Sequence, residues 1–169
     1  MRTFLRLPLG LALGFLGVSC ATQRPLVDNR KPASHRITKV RTTAYTHTER
    51  GGRRNAIDQR LSNREVKSAA ADWSRWPLGT RFRIVDTNEV FEIDDYGSAL
   101  VGTGTIDLYK SNRLAMKKWG VRSVDIDVIE WGSAEKSLEV LEPRKKNRRV
   151  RQMILALSKK SDEEPTKKF

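Results

Sequence analysis

The chain has 169 residues, of which 38% are hydrophobic and 31% charged, and a chain of this size supports one modest hydrophobic core. It contains a single cysteine, Cys20, and two histidines, His35 and His47. This composition excludes an internal disulfide scaffold and a zinc site of the usual Cys and His spacing. We therefore expect one domain that uses no metal and no other cofactor.

The net charge of +13 is unevenly distributed along the chain. Residues 143–169 contain ten Lys or Arg and three Asp or Glu, so this C-terminal tail carries +7. Residues 21–142 carry only +4. Because the positive charge is concentrated in an appendage, the composition does not indicate a nucleic-acid-binding domain, and we expect no nucleic-acid partner.

The first 20 residues have the organisation of an export signal. Arg2 and Arg6 form a charged start, an apolar stretch covers residues 7–18, and small residues flank Cys20. The stretch is shorter than the roughly 20 apolar residues of a membrane-spanning helix. The Gly-Val-Ser-Cys sequence that ends at Cys20 resembles a bacterial lipobox, with glycine in place of the usual leucine. We predict that Cys20 is lipidated and anchors the protein in the cell envelope, facing the periplasm or on the outer membrane; ordinary signal-peptide cleavage near Cys20 is the alternative.

The rest of the sequence predicts a tether, several short strands and one helix. Residues 21–35 contain two prolines and little apolar periodicity, which is typical of a flexible linker. A helix is predicted over residues 112–119, with Ser111 as its N-cap and Gly120 after its last turn. Alternating, β-branched or small residues predict strands, in chain order, at 36–46, 67–72, 81–86, 90–94, 106–109 and 121–131. Short strands without alternating helices favour a small, mostly β barrel over residues 36–142.

The basic tail, residues 143–169, permits two interpretations. Residues 152–159 are compatible with a short helix that has Met153, Ile154 and Leu157 on one side. The charge content is more typical of a solvated and largely disordered segment, which is the interpretation we favour. The basic flank suits an anionic surface.

Carboxylates are the candidates for chemistry, because the sequence supports neither a reactive cysteine nor a Ser-His pair. Asp94, Asp95 and Asp107 bracket a glycine-rich segment. Strand parity places Asp95, but not Asp94, on the apolar face of its strand, where desolvation raises the pKa of a carboxyl group. Parity places Asp107 opposite its apolar neighbours, on the same side as Tyr109. Aspartates beside glycine loops also commonly cap turns, so a structural role is the alternative.

Two tryptophans lie in a predicted loop between strands. Trp73 and Trp76 precede a Pro-Leu-Gly-Thr turn. Tryptophans are usually core residues, but in a loop they are also able to stack on a sugar ring. We therefore consider both the core role and a role in sugar binding.

A set of ordered motifs resembles one known family. Residues 95–102 read Asp-Tyr-Gly-Ser-Ala-Leu-Val-Gly, and residues 106–109 read Ile-Asp-Leu-Tyr. These segments resemble the D-x-G-x-A-[IL]-x-G and D-x-Y signature of 3D domains, named for three aspartates and found in MltA-type lytic transglycosylases and smaller wall-remodelling proteins. Further similar elements occur in the same order at residues 43–46, 70–72, 76–80 and 115–120.

The resemblance implies a double-psi β-barrel in which Asp72, Asp95 and Asp107 are the three aspartates. It also implies that Asp107 is the catalytic acid, and we expect Asp95 to hold Asp107 in place or to raise its pKa. The residues that we expect to contact substrate are Asp72, Tyr45, Trp73, Trp76, Gly97 and Tyr109.

The activity implied by the resemblance is that of a lytic transglycosylase. Such an enzyme cleaves the β-1,4 bond between N-acetylmuramic acid and N-acetylglucosamine and leaves a 1,6-anhydro end. We expect peptidoglycan glycan strands as substrate, a membrane contact through the lipid anchor, and a monomeric protein. The alternative is a non-catalytic, expansin-like peptidoglycan-binding module, which the small size of the chain favours.

Overall fold

The computed structural model describes residues 35–49 and 51–163. The export signal, Cys20 and the tether up to residue 34 lie outside these residues, so their assignments stay predictions. His35, which we assigned to the tether, is the first residue of a strand. None of the helices in the described ranges is long and apolar enough to cross a membrane.

Six strands form a closed barrel, which confirms the prediction of a mostly β barrel. The strands are β1 (His35–Tyr45), β2 (Val66–Ala70), β3 (Arg81–Ile84), β4 (Val90–Asp95), β5 (Ile106–Tyr109) and β6 (Arg122–Glu130). Their order around the barrel is β1-β5-β2-β4-β3-β6. The pairs β1/β5 and β2/β4 are parallel, and the other neighbouring pairs are antiparallel.

The barrel interior is filled by the apolar residues that alternate along the strands. Phe82 of β3 and Phe91 of β4 are paired in register, fully buried, and stacked with their ring centroids 5.7 Å apart. Ile126 of β6 is also fully buried. Burial of each such apolar side chain stabilises the fold by about 1.5–3 kcal/mol. This stabilisation explains why the segments with alternating apolar residues form the strands of the barrel.

Helix α1 (Arg113–Trp119) follows β5, close to the predicted range. Its N-cap is Asn112 rather than the predicted Ser111, because the Asn112 side chain accepts the Ala115 backbone N–H at 2.9 Å. Gly120 ends the helix at a positive φ of 63°, which glycine adopts without steric penalty. The last helical residue, Trp119, is buried.

The C-terminal region is helical, which differs from the largely disordered tail that we favoured. Helix α2 (Ala134–Leu141) and a short 3-10 turn (Glu142–Arg144) lead into helix α3 (Arg148–Glu163). The residues of these helices that join the hydrophobic core are Leu141, Val150, Met153 and Leu157. The apolar residues follow the helical period, so α3 buries one side although it is highly charged on the other. Residues 35–49 and 51–163 therefore contain three α-helices rather than one.

A close contact between two turns fixes the start of α2. A Cβ atom on Gly132 would lie 2.3 Å from the Leu78 carbonyl oxygen, so only glycine fits. The next residue, Ser133, donates its N–H to the same oxygen at 3.0 Å. Ser137 accepts the Leu78 N–H on its hydroxyl oxygen at 2.9 Å. Together these contacts attach α2 to the turn before β3.

Candidate functional site

One row of paired residues crosses four neighbouring strands. Thr43 pairs with Asp107, Asp107 with Ala70, and Ala70 with Asp95. Paired residues on neighbouring strands project their side chains to the same face. Because neighbouring strands are about 4.8 Å apart, the Cα atoms of Asp107 and Asp95 are separated by about 10 Å. Only the methyl group of Ala70 lies between the two carboxylates in this row.

Asp107 is half-buried between fully buried neighbours in β5, on the opposite face, as its parity predicts. The Thr43 hydroxyl donates to Asp107 Oδ1 at 2.6 Å and fixes the carboxyl group. Burial raises the pKa of Asp107, the Thr43 hydrogen bond works against this, and the charge of Glu49 raises the pKa further. The net pKa is above the usual range, so Asp107 holds its proton more strongly than an exposed aspartate does.

Asp95 is also half-buried, and its Oδ1 accepts the Tyr96 backbone N–H at 2.9 Å. Burial, the main cause, and the charge of Asp94 raise the pKa of Asp95 to about 6. The structure therefore agrees with the expected direction of the pKa shift. The neighbouring carboxylate that contributes to this shift is Asp94 and not Asp107.

The predicted orientation of Asp95 is wrong because β4 contains a bulge, whereas Asp94 contacts Ser68 on the face opposite the apolar residues, as predicted. The β2/β4 register shifts at the end of the pair, so that Ala69 lies opposite Ile93 and Ala70 opposite Asp95. Asp95 consequently shares the face of Asp107 instead of the barrel interior. Asp94 is the more buried of the two, with 8% exposure.

Asp94 joins the loop after β1 to the barrel. Its Oδ2 accepts hydrogen bonds from the Ser68 hydroxyl at 2.5 Å and from Asn55 Nδ2 at 2.9 Å. Asn55 Oδ1 in turn accepts the backbone N–H of Gln59 at 2.8 Å. Burial raises the pKa of Asp94, while the two side-chain hydrogen bonds partly oppose that effect. This network positions residues 53–60 beside the carboxylate row.

Tyr45 and Tyr109, both predicted site residues, are paired in register next to the row, with ring centroids 5.6 Å apart. Burial raises the pKa of Tyr45 far above its ordinary value, and the charges of Asp95, Asp94 and Asp107 add to the effect. The buried Tyr45 hydroxyl lies near Asp95 but forms no well-aligned hydrogen bond with any residue in the described ranges. Tyr45 is therefore a neutral hydroxyl, and a hydrogen-bond donor, held close to acceptor groups.

The Tyr109 hydroxyl extends the site towards a small basic cavity. It lies 2.9 Å from His47 Nδ1. A cavity of about 180 Å³ is lined by His47, Arg53, Arg60, Leu61 and Tyr109. Burial raises the pKa of Tyr109, and the charge of Arg53 works in the opposite direction. The cavity therefore places positive charge beside the carboxylate row.

The two predicted tryptophan platforms lie in the core instead. Trp73 is fully buried and donates its indole N–H to the Asp95 carbonyl oxygen at 2.8 Å. Trp76 is 5% exposed and stacks on Trp131, with ring centroids 5.8 Å apart. Both side chains are too buried to serve as an open platform for a sugar, so the core role is the one the structure supports.

Asp72 has a structural role in place of the predicted substrate contact. It is buried, its Oδ1 accepts the backbone N–H and the hydroxyl of Ser74, and its Oδ2 accepts the Gly102 N–H at 2.7 Å. Asp72 thus joins the turn after β2 to the glycine-rich loop. Gly97 lies at the start of this loop, where an added Cβ would be 3.3 Å from the Leu100 side chain.

Thr43, His47 and Asn55 contribute to the site, although sequence reasoning did not select them as site residues. Thr43 shares the strand parity of Tyr45, which is a signal that was present in the sequence. His47 and Asn55 lie in an irregular loop, where no periodicity indicates which side chains point to the barrel. In residues 35–49 and 51–163, no group of three or more His, Cys, Asp or Glu side chains is arranged to hold a metal ion.

Comparison with protein families and with curated proteins identifies no family for this chain. No protein-family model matches the sequence, and no curated protein is similar to it.

Proposed function

We propose that this protein is a lytic transglycosylase of the 3D-domain type, which cleaves peptidoglycan between N-acetylmuramic acid and N-acetylglucosamine. The observation that carries the proposal is the environment of the Asp107 carboxyl group. This carboxyl group is half-buried, has a raised pKa, and is fixed by the Thr43 hydroxyl. A carboxyl group that holds its proton more strongly than an exposed aspartate is better suited to general acid catalysis.

The fold supports the family part of the proposal. A closed six-stranded barrel with the two parallel pairs β1/β5 and β2/β4 is compatible with a double-psi barrel. The motif residues of the 3D-domain resemblance also occupy related positions, because Asp95 and Asp107 share one row while Asp72 supports the loop between them.

The reaction needs one carboxyl group that both gives and accepts a proton. Asp107 protonates the glycosidic oxygen while the bond from this oxygen to C1 of the muramic acid breaks. The C6 hydroxyl oxygen of the same sugar then forms the new bond to C1. The Asp107 carboxylate accepts the hydroxyl proton, which regenerates the acid. Because the nucleophile belongs to the same sugar, its effective concentration is high and no water has to be positioned.

Asp95 fits a supporting role in this mechanism better than the role of a second catalytic carboxylate. In retaining glycosidases the two carboxyl groups are about 5–5.5 Å apart and two carboxylates that share a site raise each other's pKa, whereas the raised pKa of Asp107 is caused by burial and by the charge of Glu49 and not by Asp95. Asp95 and Tyr45 contribute charge and hydrogen-bonding groups beside the acid.

The proposed location is the cell envelope, with the protein anchored in a membrane through lipidated Cys20. This part of the proposal rests on the sequence of the first 20 residues alone. It is consistent with the proposed substrate, because peptidoglycan lies outside the cytoplasm.

Digestion of purified peptidoglycan tests the proposal directly. We expect the protein to release muropeptides with 1,6-anhydro ends, which mass spectrometry distinguishes from hydrolysis products by the absence of one water. Release of reducing ends alone would contradict the transglycosylase mechanism. Binding to peptidoglycan without any release would instead support the expansin-like binding module.

A further inference from the structure

A second polar cavity lies away from the carboxylate row and shares no residue with it. Its volume is about 510 Å³, and its charged and aromatic lining consists of Lys67, Glu89, Lys110, Lys118, Trp119 and Arg122. Lys67 is three residues before Ala70 in β2, so the two residues are about 10 Å apart along the strand. The cavity is therefore a separate feature between the strand ends and helix α1.

Positive charge exceeds negative charge in this cavity. Its lining contains four basic side chains and one acidic side chain, Glu89. Lys67 and Lys110 share the Glu89 carboxylate, with Lys110 Nζ at 3.3 Å from Oε2. The guanidinium of Arg122 lies over the Trp119 ring and donates to the Trp119 carbonyl oxygen at 2.7 Å. Four positive side chains and one negative side chain give the lining a net charge of +3.

Lys110 is the most buried of these cations. Its side chain is only 9% exposed, and its ammonium group lies over the rings of Trp119 and Phe91, at 4.6 and 5.2 Å from their centroids. Burial lowers the pKa of Lys110, and the charge of Glu89 opposes that effect. Burying an ammonium group is unfavourable unless negative charge compensates it. One shared carboxylate compensates only part of the charge in this cavity.

We propose that this cavity binds a phosphate group carried by a small ligand of about the size of a sugar. A doubly charged phosphate matches the excess positive charge, and lysine ammonium groups bind phosphate as point charges. The Arg122 guanidinium already donates to carbonyl oxygens of α1, which disfavours the two-pronged recognition of a planar carboxylate. The volume is within the range of small-molecule sites, about 300–1,000 Å³, and exceeds the space that one phosphate fills.

The rim of the cavity provides further hydrogen-bonding groups. The side chains of Asn63, Thr87 and Ser111 line it and are exposed. They are available to the uncharged part of a phosphorylated ligand, whereas the lysines contact its phosphate. This site depends neither on the carboxylate row nor on the proposed activity.

Calorimetric titration of the full chain at constant ionic strength and neutral pH tests the proposal. The probes are inorganic phosphate, glucose 6-phosphate and glucose. We expect saturable binding of one phosphate-bearing molecule per chain, tighter for glucose 6-phosphate than for inorganic phosphate, and no binding of glucose. Equal affinity for the two phosphates would identify a site for the free ion and overturn the assignment of a sugar-sized ligand.

Variants separate this site from general attraction to a basic protein. Lys118→Gln alters an exposed residue and should weaken glucose 6-phosphate binding at least tenfold. Lys110→Met retains the apolar stem and should weaken it further. Lys146→Gln removes an exposed positive charge outside the cavity and should leave the affinity unchanged. If Lys118→Gln and Lys146→Gln have equal effects, or if no saturable binding occurs, the proposal is wrong, whether or not Lys110→Met folds.

Discussion

Asp95 and Asp107 are both paired in register with Ala70, one across each side of β2. The methyl group of Ala70 is the smallest side chain that keeps the strand geometry of an ordinary residue. A larger side chain at this position would enter the space between the two carboxylates. The two pairings with Ala70 therefore set the distance between Asp95 and Asp107 and the space between their carboxylates.

Asp107→Asn is the variant that separates catalysis from binding. Asparagine keeps the shape and can still accept the Thr43 hydrogen bond, but it cannot supply or accept the catalytic proton. We expect release of 1,6-anhydro muropeptides to fall by about 10²–10⁴-fold. Binding to purified peptidoglycan and the melting temperature should remain close to those of the wild type.

The matched control for Asp107→Asn is Asp86→Asn, at an exposed turn position after β3. It removes one carboxylate without altering the row and should retain wild-type activity. Full activity of Asp107→Asn, in a preparation whose wild type releases anhydro products, would falsify the assignment of Asp107 as the acid.

Thr43 is expected to act as a positioning residue through its hydrogen bond to Asp107. This bond works against the raised pKa of Asp107, so Thr43→Val should raise that pKa further. The general acid must be protonated, and the alkaline limb of the pH-rate profile should therefore move to higher pH. We also expect a loss of rate of about 10- to 100-fold, because a hydrogen bond to a charged group is worth about 1.5–3 kcal/mol and each 1.36 kcal/mol is a factor of ten. Thr43→Ser keeps the hydroxyl and should restore the wild-type profile; an unshifted profile in Thr43→Val would argue against this role.

Asp95 should make the stability of the protein depend on pH in a defined direction. Its pKa is raised from 3.8 to about 6 in the folded state, so the folded protein binds the proton more strongly than the unfolded chain does. The resulting stabilisation is fully present below about pH 4 and is lost as the pH rises through 6. At 1.36 kcal/mol per pKa unit, the free energy of unfolding should fall by about 1–3 kcal/mol more in the wild type than in Asp95→Asn between pH 4 and pH 7.

Urea unfolding of both proteins between pH 4 and pH 7 measures this difference. The control is again Asp86→Asn, which removes one carboxylate at an exposed position. Parallel stability curves for wild type and Asp95→Asn would show that burial does not penalise the Asp95 carboxylate.

The sequence predicts the barrel well, because the interior requires alternation that is visible in the strands. Residues 106–109 are predicted and observed as β5, and 90–94 becomes Val90–Asp95 in β4. The prediction fails at the end of β4 because a bulge adds one residue, and one added residue reverses the face of every side chain beyond it. Parity thus identifies the faces of Asp107 and Asp94 but assigns Asp95 incorrectly.

The C-terminal helices differ from the favoured interpretation for another reason. A helix over residues 152–159 with Met153 and Leu157 on one side is the less favoured alternative, because the dense charge of the tail outweighs its few apolar positions in a judgement from composition. The burial of Trp73 and Trp76 is likewise a tertiary effect, because both residues lie in a loop that folds against the barrel.

Leu157 should contribute substantially to stability because α3 packs on the core. It is 1% exposed, and truncation of a buried leucine to alanine typically costs about 2–5 kcal/mol. Leu157→Ala should lower the free energy of unfolding, measured in urea, by an amount in this range. Leu155→Ala, in the same helix at 71% exposure, should change it by less than about 0.5 kcal/mol. Equal effects of the two changes would show that α3 does not pack as described.

Cys20 is predicted to carry the lipid anchor. Metabolic labelling with a fatty-acid analogue should mark the full-length wild-type protein, and Cys20→Ala should carry no label because the chain contains no other cysteine. The variant should also leave the membrane fraction and appear in the aqueous fraction. Equal labelling of the two proteins would refute lipidation at this residue.

The closed order of the six strands limits the ways in which another chain or polymer can attach to this protein. Each described strand has a hydrogen-bonded neighbour on both sides, although the pairing does not cover the full length of every strand. Residues 35–41 of β1 pair with β6 alone, because β5 pairs only with the last four residues of β1. An added strand, which is a frequent route both to peptide capture and to aggregation, therefore requires a stretch that is paired on one side only, as this one is. Elsewhere, recognition has to come from side chains and loops, and sequence changes there can alter the ligands without disturbing the backbone pairing.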